Sequence, residues 1–200
     1  NAWAGISLDV ERGVVYAPTG SASFDFWGGN RTGSNLFANC IIAIDAETGQ
    51  RLWHYQTVHH DLWDRDLPAP PNLVTVTHNG IKIDAVAQVT KSGYVFLLDR
   101  DTGKPLFPVE ERPVKKSDLK GEKAWPTQPF PLKPPPFARQ HFSEDEITNI
   151  SPEAHEYVKT IWTTTKTGEQ FIPPSTQGTM YTGRNELFRS EEHTSELQSP

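Results

Sequence analysis

The densest group of ionisable side chains lies between His59 and Asp66, where six of the eight residues carry one. These six are two imidazoles, three carboxylates and one guanidinium: His59, His60, Asp61, Asp64, Arg65 and Asp66. Carboxylates beside imidazoles can bind a hard cation, transfer protons or form a buried structural network. Adjacent histidines lack the i, i+4 spacing of a helical zinc protease site, so that class is disfavoured. A solvated acidic loop without chemistry is the alternative interpretation.

The elements that must position this cluster are short strands. Runs of β-branched, aliphatic and aromatic residues, separated by turn residues, predict consecutive antiparallel hairpins through the first hundred residues. The runs are 13–17, 41–44, 52–55, 73–76, 81–83 and 94–98. Asn79-Gly80 separates two of them and favours a type I′ hairpin turn. The polar cluster follows the run 52–55 and precedes Pro68, so we expect it to form a loop.

One motif occurs twice: an apolar strand, Asp, two residues, Thr-Gly, and an aromatic residue eight positions after the Asp. The copies are Asp45, Thr48, Gly49 and Trp53, and Asp99, Thr102, Gly103 and Phe107. The Asp side chain can accept backbone N–H groups across a turn, and glycine supplies a positive φ. The aromatic residue can then pack on the neighbouring unit. A repeat of this kind predicts stacked four-stranded units, as in a β-propeller.

Composition excludes several classes. The formal net charge of −6 argues against a nucleic-acid partner. No stretch approaches the roughly 18 consecutive apolar residues of a membrane span. The single cysteine, Cys40, excludes an internal disulfide framework.

The sequence divides into four regions by composition. Residues 1–107 carry the predicted blades and the polar loop, and 108–160 form a proline-rich, polyproline-like excursion with short helices. Strand character at Phe171-Ile172 and at 179–181 predicts the start of a further, truncated blade over 161–188. Residues 189–200 resemble the translation of a sequencing-library adapter, so we expect a non-native, unstructured tail without function.

Several segments together resemble the quinoprotein dehydrogenases, and most closely their membrane-bound glucose, quinate and shikimate branch. These segments are Asn1-Ala2-Trp3-Ala4-Gly5, Trp27-Gly28-Gly29-Asn30-Arg31-Thr32, Thr57 to Asp64, and the repeat from Ala43 through Trp53 to Gln56. The resemblance implies an all-β fold: about two to three blades of an eight-bladed propeller joined by tryptophan-docking motifs. It also implies pyrroloquinoline quinone (PQQ) as cofactor.

The resemblance assigns roles to three residues at the centre of the site. Asp64 falls on the general base, and a carboxylate suits abstraction of an alcohol proton. Lys91 falls on the cation that polarises the quinone carbonyls, so it is both a catalytic and a cofactor-binding candidate. Trp3 falls on the tryptophan under the cofactor, where a broad indole face can stack on a planar quinone. As alternatives, Trp3 is a core residue and Lys91 an ordinary turn lysine.

Further positions carry weaker assignments. His60 matches a histidine of the family motif, and we expect it to orient the loop beside the cofactor. Asn30 and Arg31 lie where a loop could reach the substrate entrance. The resemblance also implies a Ca²⁺ or Mg²⁺ ion approached by Asp64. Residues 21–23 offer no amide ligand of the methanol dehydrogenase type, so other ligands are expected from an earlier blade.

The implied function is oxidation of glucose or a related sugar or polyol, with hydride passing to PQQ and electrons to ubiquinone. A quinate, shikimate or alcohol dehydrogenase is the nearest alternative, and a noncatalytic propeller scaffold or a sugar-binding module are alternatives from other classes. The resemblance places the full enzyme at the periplasmic face of the bacterial inner membrane, held by an N-terminal anchor missing from this sequence. A few blades leave unpaired edges, so we expect the fragment alone to be inactive.

Overall fold

Two antiparallel sheets form the first hundred residues, in a computed structural model that describes residues 1–180. The first sheet contains, in chain order, β1 (Ser7–Asp9), β2 (Val14–Pro18), β3 (Cys40–Asp45) and β4 (Arg51–Gln56). The second contains β5 (Asn72–His78), β6 (Ile81–Val89) and β7 (Val95–Asp99). Asn79 and Gly80 both have positive φ in the β5–β6 turn. The strands and this hairpin turn confirm the sequence predictions.

The two copies of the Asp-x-x-Thr-Gly motif form the same turn. The Asp45 carboxylate accepts the backbone N–H and the hydroxyl of Thr48, each at 2.7 Å. Asp99 accepts the equivalent groups of Thr102 at 2.8 and 2.7 Å. The glycine that follows each threonine has a positive φ. The sequence repeat is therefore a structural repeat.

Trp53 joins the two sheets. Its indole N–H donates to the carbonyl of Arg100 at 3.0 Å, and its ring lies flat against Gly103. A side chain at Gly103 would lie 2.5 Å from the ring, so only glycine permits this contact. The core between the sheets contains buried residues of both: Val14, Tyr16, Ile41, Ala43, Trp53, Val86, Phe96 and Leu98. This stacking is the docking of adjacent propeller blades that the motif predicted, and it confirms the all-β fold class.

The proline-rich segment has more regular structure than its composition indicated. β8 (Val109–Pro113) and β9 (Thr127–Pro131) pair antiparallel as a two-stranded sheet. The expectation of a polyproline-like excursion is wrong over these strands. In a sheet of two strands each strand is an edge, so a proline that lacks an N–H can face away from the ladder.

Helices follow the proline-rich segment, as predicted. A 3₁₀ turn spans Glu144–Glu146, and α1 spans Pro152–Thr164. The Ser151 hydroxyl caps α1 by accepting the N–H of Ala154 at 3.1 Å. None of the helices within residues 1–180 combines the length and apolar character needed to cross a bilayer.

The strands expected after the helix are not formed in the described residues. Phe171 and Ile172 lie outside the strands and are buried, while Thr179 makes only an isolated bridge with Lys166. Their apolar character reflects packing under the polar loop rather than strand pairing. The prediction of an unstructured tail at 189–200 concerns residues outside those described.

Candidate functional site

The polar cluster forms a buried loop between the two sheets. Asp61 organises it: one carboxylate oxygen accepts the N–H of Trp63 at 2.7 Å, and the other accepts that of Arg65 at 2.6 Å. The Asn39 amide also donates to Asp61, at 2.7 Å. His60 and Asp64 adopt positive φ within this tight loop. The solvated-loop alternative is wrong, because Asp61, Asp64, Arg65 and Asp66 are all buried.

Lys91 lies between two carboxylates of the loop. Its ammonium is 3.0 Å from Asp66 and 3.3 Å from Asp64, and all three side chains are at most 9 % exposed. Asp66 also accepts the N–H of Ser21. The structure thus brings together Asp64 and Lys91, the two predicted catalytic residues, and adds Asp66.

One cation facing two carboxylates perturbs both acids. Burial raises the pKa of Asp64 to about 8; hydrogen bonding to Asp66 adds to the rise, whereas the charge of Lys91 opposes it. Burial alone would also raise the pKa of Asp66, but the hydrogen bond with Asp64 and the contacts with Lys91 and Ser21 hold it below its ordinary value. The two acids are coupled, so their pKa values move apart: that of Asp64 rises and that of Asp66 falls. Such a carboxyl is suited to acid–base chemistry.

Trp3 lies at the edge of this charged group. The Lys91 ammonium is 5.8 Å from the centroid of the indole, a cation–π distance. Trp3 is 38 % exposed, so it is not the core residue of the alternative interpretation. A side chain at Gly20 would lie 2.6 Å from Asp66 and 3.5 Å from the indole nitrogen of Trp3. Glycine there keeps the ring close to the carboxylates.

Arg65 fixes the backbone that carries Lys91. Its fully buried guanidinium donates to the carbonyl of Lys91 at 2.8 Å and to that of Gln170 at 3.3 Å. Trp63 donates to the carbonyl of Ile172 at 2.6 Å and packs edge-on against Phe171. The segment around residue 171 therefore supports the loop, although the two are more than a hundred residues apart in the sequence.

His60 has its ring hydrogen-bond partners outside the Asp64–Lys91 group. Its ring nitrogens face the carbonyl of Gly33 at 2.9 Å and the carboxylate of Glu122 at 3.0 Å. The ring is 2 % exposed. This geometry fits the expected role in orienting the loop, while contact with a cofactor stays a prediction.

The two residues expected at the substrate entrance differ in their surroundings. Arg31 donates to the carbonyls of Asp61 at 2.9 Å and of Phe24 at 3.0 Å, and its side chain is partly buried. Asn30, by contrast, is exposed. Arg31 therefore supports the polar loop, and the entrance role of both residues stays a prediction.

Four residues of the site escaped sequence reasoning: Asp61, Arg65, Asp66 and Glu122. Three of them belong to the dense polar cluster, so the sequence showed that they were present. Nothing in the local sequence distinguished the residues that support the loop from the residue that acts as base. Glu122 gave no signal, because its partners lie 62 and 94 residues earlier in the chain. Within residues 1–180 no group of three or more His, Cys, Asp or Glu side chains is arranged to hold a metal ion.

The stacked antiparallel sheets, the docked tryptophan and the buried acid–lysine site under an indole define a propeller of the quinoprotein class. The family profile described as "PQQ: Glucose/ethanol/alcohol dehydrogenase, beta-propeller domain" matches residues 1–185. The chain belongs to this family.

Individual proteins agree with this assignment. The chain is 46 % identical over 131 residues to quinoprotein glucose dehydrogenase of Escherichia coli, covering 65 % of this chain and 16 % of that protein. It is 43 % identical over 154 residues to quinate/shikimate dehydrogenase (quinone) of Acinetobacter baylyi, covering 76 % and 19 %. The structure of quinohemoprotein alcohol dehydrogenase from Comamonas testosteroni aligns with a TM-score of 0.50 at 28 % identity, over 66 % of this chain and 20 % of that one. The chain thus spans about a fifth of the length of these relatives.

Proposed function

We propose that this chain is the active-site part of a PQQ-dependent dehydrogenase that oxidises glucose or a related sugar or polyol. One observation carries the proposal: a buried ammonium, that of Lys91, lies between Asp64 and Asp66 at the edge of the accessible indole of Trp3. A scaffold gains little from such a group, because burying two carboxylates against one cation costs solvation energy.

The residues present fit PQQ. The cofactor is planar and anionic, and Trp3 offers a flat apolar face with a positive charge beside it. Gly20 leaves no side chain between Asp66 and the indole nitrogen of Trp3. Trp3 would therefore stack on the ring system, and Lys91 would hold its oxygens.

The chain's own residues would divide the chemistry. When bound, PQQ supplies a quinone that accepts hydride from the carbon bearing the substrate hydroxyl. Asp64 takes the proton of that hydroxyl, and its raised pKa makes its carboxylate a stronger base than an exposed aspartate. Lys91 offers a hydrogen bond and a positive charge where negative charge develops. Asp66 and the carbonyl contact from Arg65 hold Lys91 in place.

The metal expected from the resemblance does not fit the described residues. Asp64 pairs with Lys91 and lies beside Asp66, but within residues 1–180 no three His, Cys, Asp or Glu side chains are arranged to hold a metal ion. A Ca²⁺ or Mg²⁺ ion of the complete enzyme would take most of its ligands from elsewhere in the chain. No step above involves it.

The electron acceptor and location follow from the family resemblance. We propose ubiquinone as acceptor and the periplasmic face of the inner membrane as location, with an anchor outside this sequence. The A. baylyi relative is a quinate/shikimate dehydrogenase (quinone), which supports a quinone as acceptor. Quinate or shikimate is the second candidate substrate class, because the A. baylyi relative is 43 % identical to this chain, close to the 46 % of the E. coli glucose enzyme.

The test is dye-coupled oxidation by the full-length protein. Glucose, quinate, shikimate and a simple alcohol are compared, each with and without added PQQ. The proposal expects PQQ-dependent oxidation with glucose or another sugar or polyol as the best substrate. Activity unaffected by omitting PQQ would refute the cofactor, and a clear preference for quinate or shikimate would favour the second candidate.

A further inference from the structure

Glu122, in the proline-rich segment, has a carboxylate with no solvent exposure. One oxygen faces the His60 ring nitrogen at 3.0 Å and accepts the N–H of Lys123 at 2.8 Å. The other accepts the backbone N–H of Gly28. A buried carboxylate with this many donors is expensive to disturb, because each donor would be left unpaired.

His60 extends the contact to a second point of the same loop. Its other ring nitrogen faces the carbonyl of Gly33, which can only accept a hydrogen bond. Gly28 packs tightly on the ring: a Cβ there would lie 2.5 Å from the His60 nitrogen. Glu122 and His60 together therefore fasten the loop 21–35 at Gly28 and at Gly33.

The fastened loop borders the proposed base. Ser21, at its start, donates to Asp66 and Asp61. Asp25, farther along, contributes its negative charge to the raised pKa of Asp64. The loop also presents Phe24, Phe26 and Trp27, each at least 40 % exposed. These contacts place the loop next to the Asp64–Lys91 site.

We propose that Glu122 is a positioning residue, which acts through His60 and Gly28 to hold the loop 21–35 against the Asp64–Lys91 site. Because Glu122 belongs to the proline-rich segment 108–160, that segment would support the site and would not merely connect blades. The proposal rests on the proposed function only for its catalytic consequence. The mechanical consequence, a fastened loop, is independent of any reaction.

The neighbouring pair provides a matched control. His59 faces Glu111 at 3.1 Å, with the same residue types and from the same two segments, but the Glu111 side chain is 50 % exposed. Glu122→Gln removes the charge and sets an amide N–H against one of the backbone donors. Glu111→Gln removes an exposed charge and leaves the loop 21–35 untouched.

The first measurement is amide hydrogen exchange of the full-length protein without cofactor. Glu122→Gln is expected to accelerate exchange in peptides covering 21–35 by at least about tenfold, while α1 and the Glu111→Gln variant stay as in the unmodified protein. In the unmodified protein, the Gly28 amide should exchange far more slowly than that of exposed Asn30. This comparison needs no variant, so it decides the matter even if Glu122→Gln does not fold.

The second measurement is steady-state kinetics with PQQ. Loss of loop position should raise KM several-fold more than it lowers kcat, because the base itself is unchanged. Equal exchange in the two variants, acceleration throughout the protein, or a fast Gly28 amide would overturn the proposal. Inactivity of the unmodified protein would refute the proposed function and leave the exchange result standing.

Discussion

Gly103→Ala is expected to loosen the junction between the two sheets. Gly103 has a φ of +68°, and an added Cβ would lie 2.5 and 2.6 Å from two carbons of the Trp53 ring. Gly49 occupies the same place in the first copy of the motif, with a φ of +73° and nothing within 4 Å of an added Cβ. The two glycines have similar φ angles, but only Gly103 lies against a tryptophan ring, so Gly49→Ala is the matched control.

The expected magnitudes follow from this difference. Placing a side chain in the left-handed region costs roughly 1–2 kcal/mol, and both variants incur that cost. Only Gly103→Ala must also displace a buried ring, which adds about 1–3 kcal/mol. The free energy of unfolding should therefore fall by about 2–5 kcal/mol for Gly103→Ala and by about 1–2 kcal/mol for Gly49→Ala.

Urea unfolding of the two variants of this 200-residue chain, followed by tryptophan fluorescence, measures this difference directly. The comparison is valid if the slope of free energy against urea is the same in both. If Gly103→Ala costs no more than Gly49→Ala, Trp53 does not press on Gly103, and the docking interpretation of the repeat is wrong.

Three further outcomes are expected. The Asp9 carboxylate is buried, but its hydrogen bonds with Arg12 and Arg100 hold its pKa below the ordinary value. Asp9→Asn should therefore lower the free energy of unfolding by about 1–3 kcal/mol at pH 7. In urea titrations this loss should shrink progressively below about pH 4, where the carboxylate of the unmodified protein becomes protonated. Trp3→Leu should weaken PQQ binding roughly tenfold in a titration while leaving the urea midpoint nearly unchanged, since Trp3 is exposed. Lys91→Gln leaves two buried carboxylates without their cation, so it should cost about 3 kcal/mol of stability at pH 7, and an unchanged midpoint would contradict the buried ion group.

Local chemistry explains what the sequence predicted well. The strands follow from apolar runs bounded by turn residues, and each Asp-x-x-Thr-Gly turn is closed by hydrogen bonds within a few residues of Asp45 or Asp99. The resemblance supplied Asp64, Lys91 and Trp3, and the structure brings these three together.

Long-range partners explain what the sequence did not predict. Asp64 and Asp66 lie two positions apart and have the same side chain. Asp66 accepts the backbone N–H of Ser21, a residue 45 positions earlier, and the local sequence does not reveal this contact. Glu122 pairs with a histidine 62 residues away, and no local pattern identifies such a partner. The prolines of β9 suggested an irregular segment. They are tolerated because β9 pairs only with β8 in a two-stranded sheet, and the local sequence of β9 does not show this pairing.

The proposed function depends most on Asp64 as the base of a PQQ-dependent dehydrogenase. The most direct test is kcat of the full-length Asp64→Asn variant, measured with PQQ and the best substrate, beside a titration of PQQ binding. We expect a fall in kcat of at least about a hundredfold, with PQQ affinity within a few-fold of the unmodified protein. A variant that binds PQQ normally and keeps more than about a tenth of the activity would contradict it.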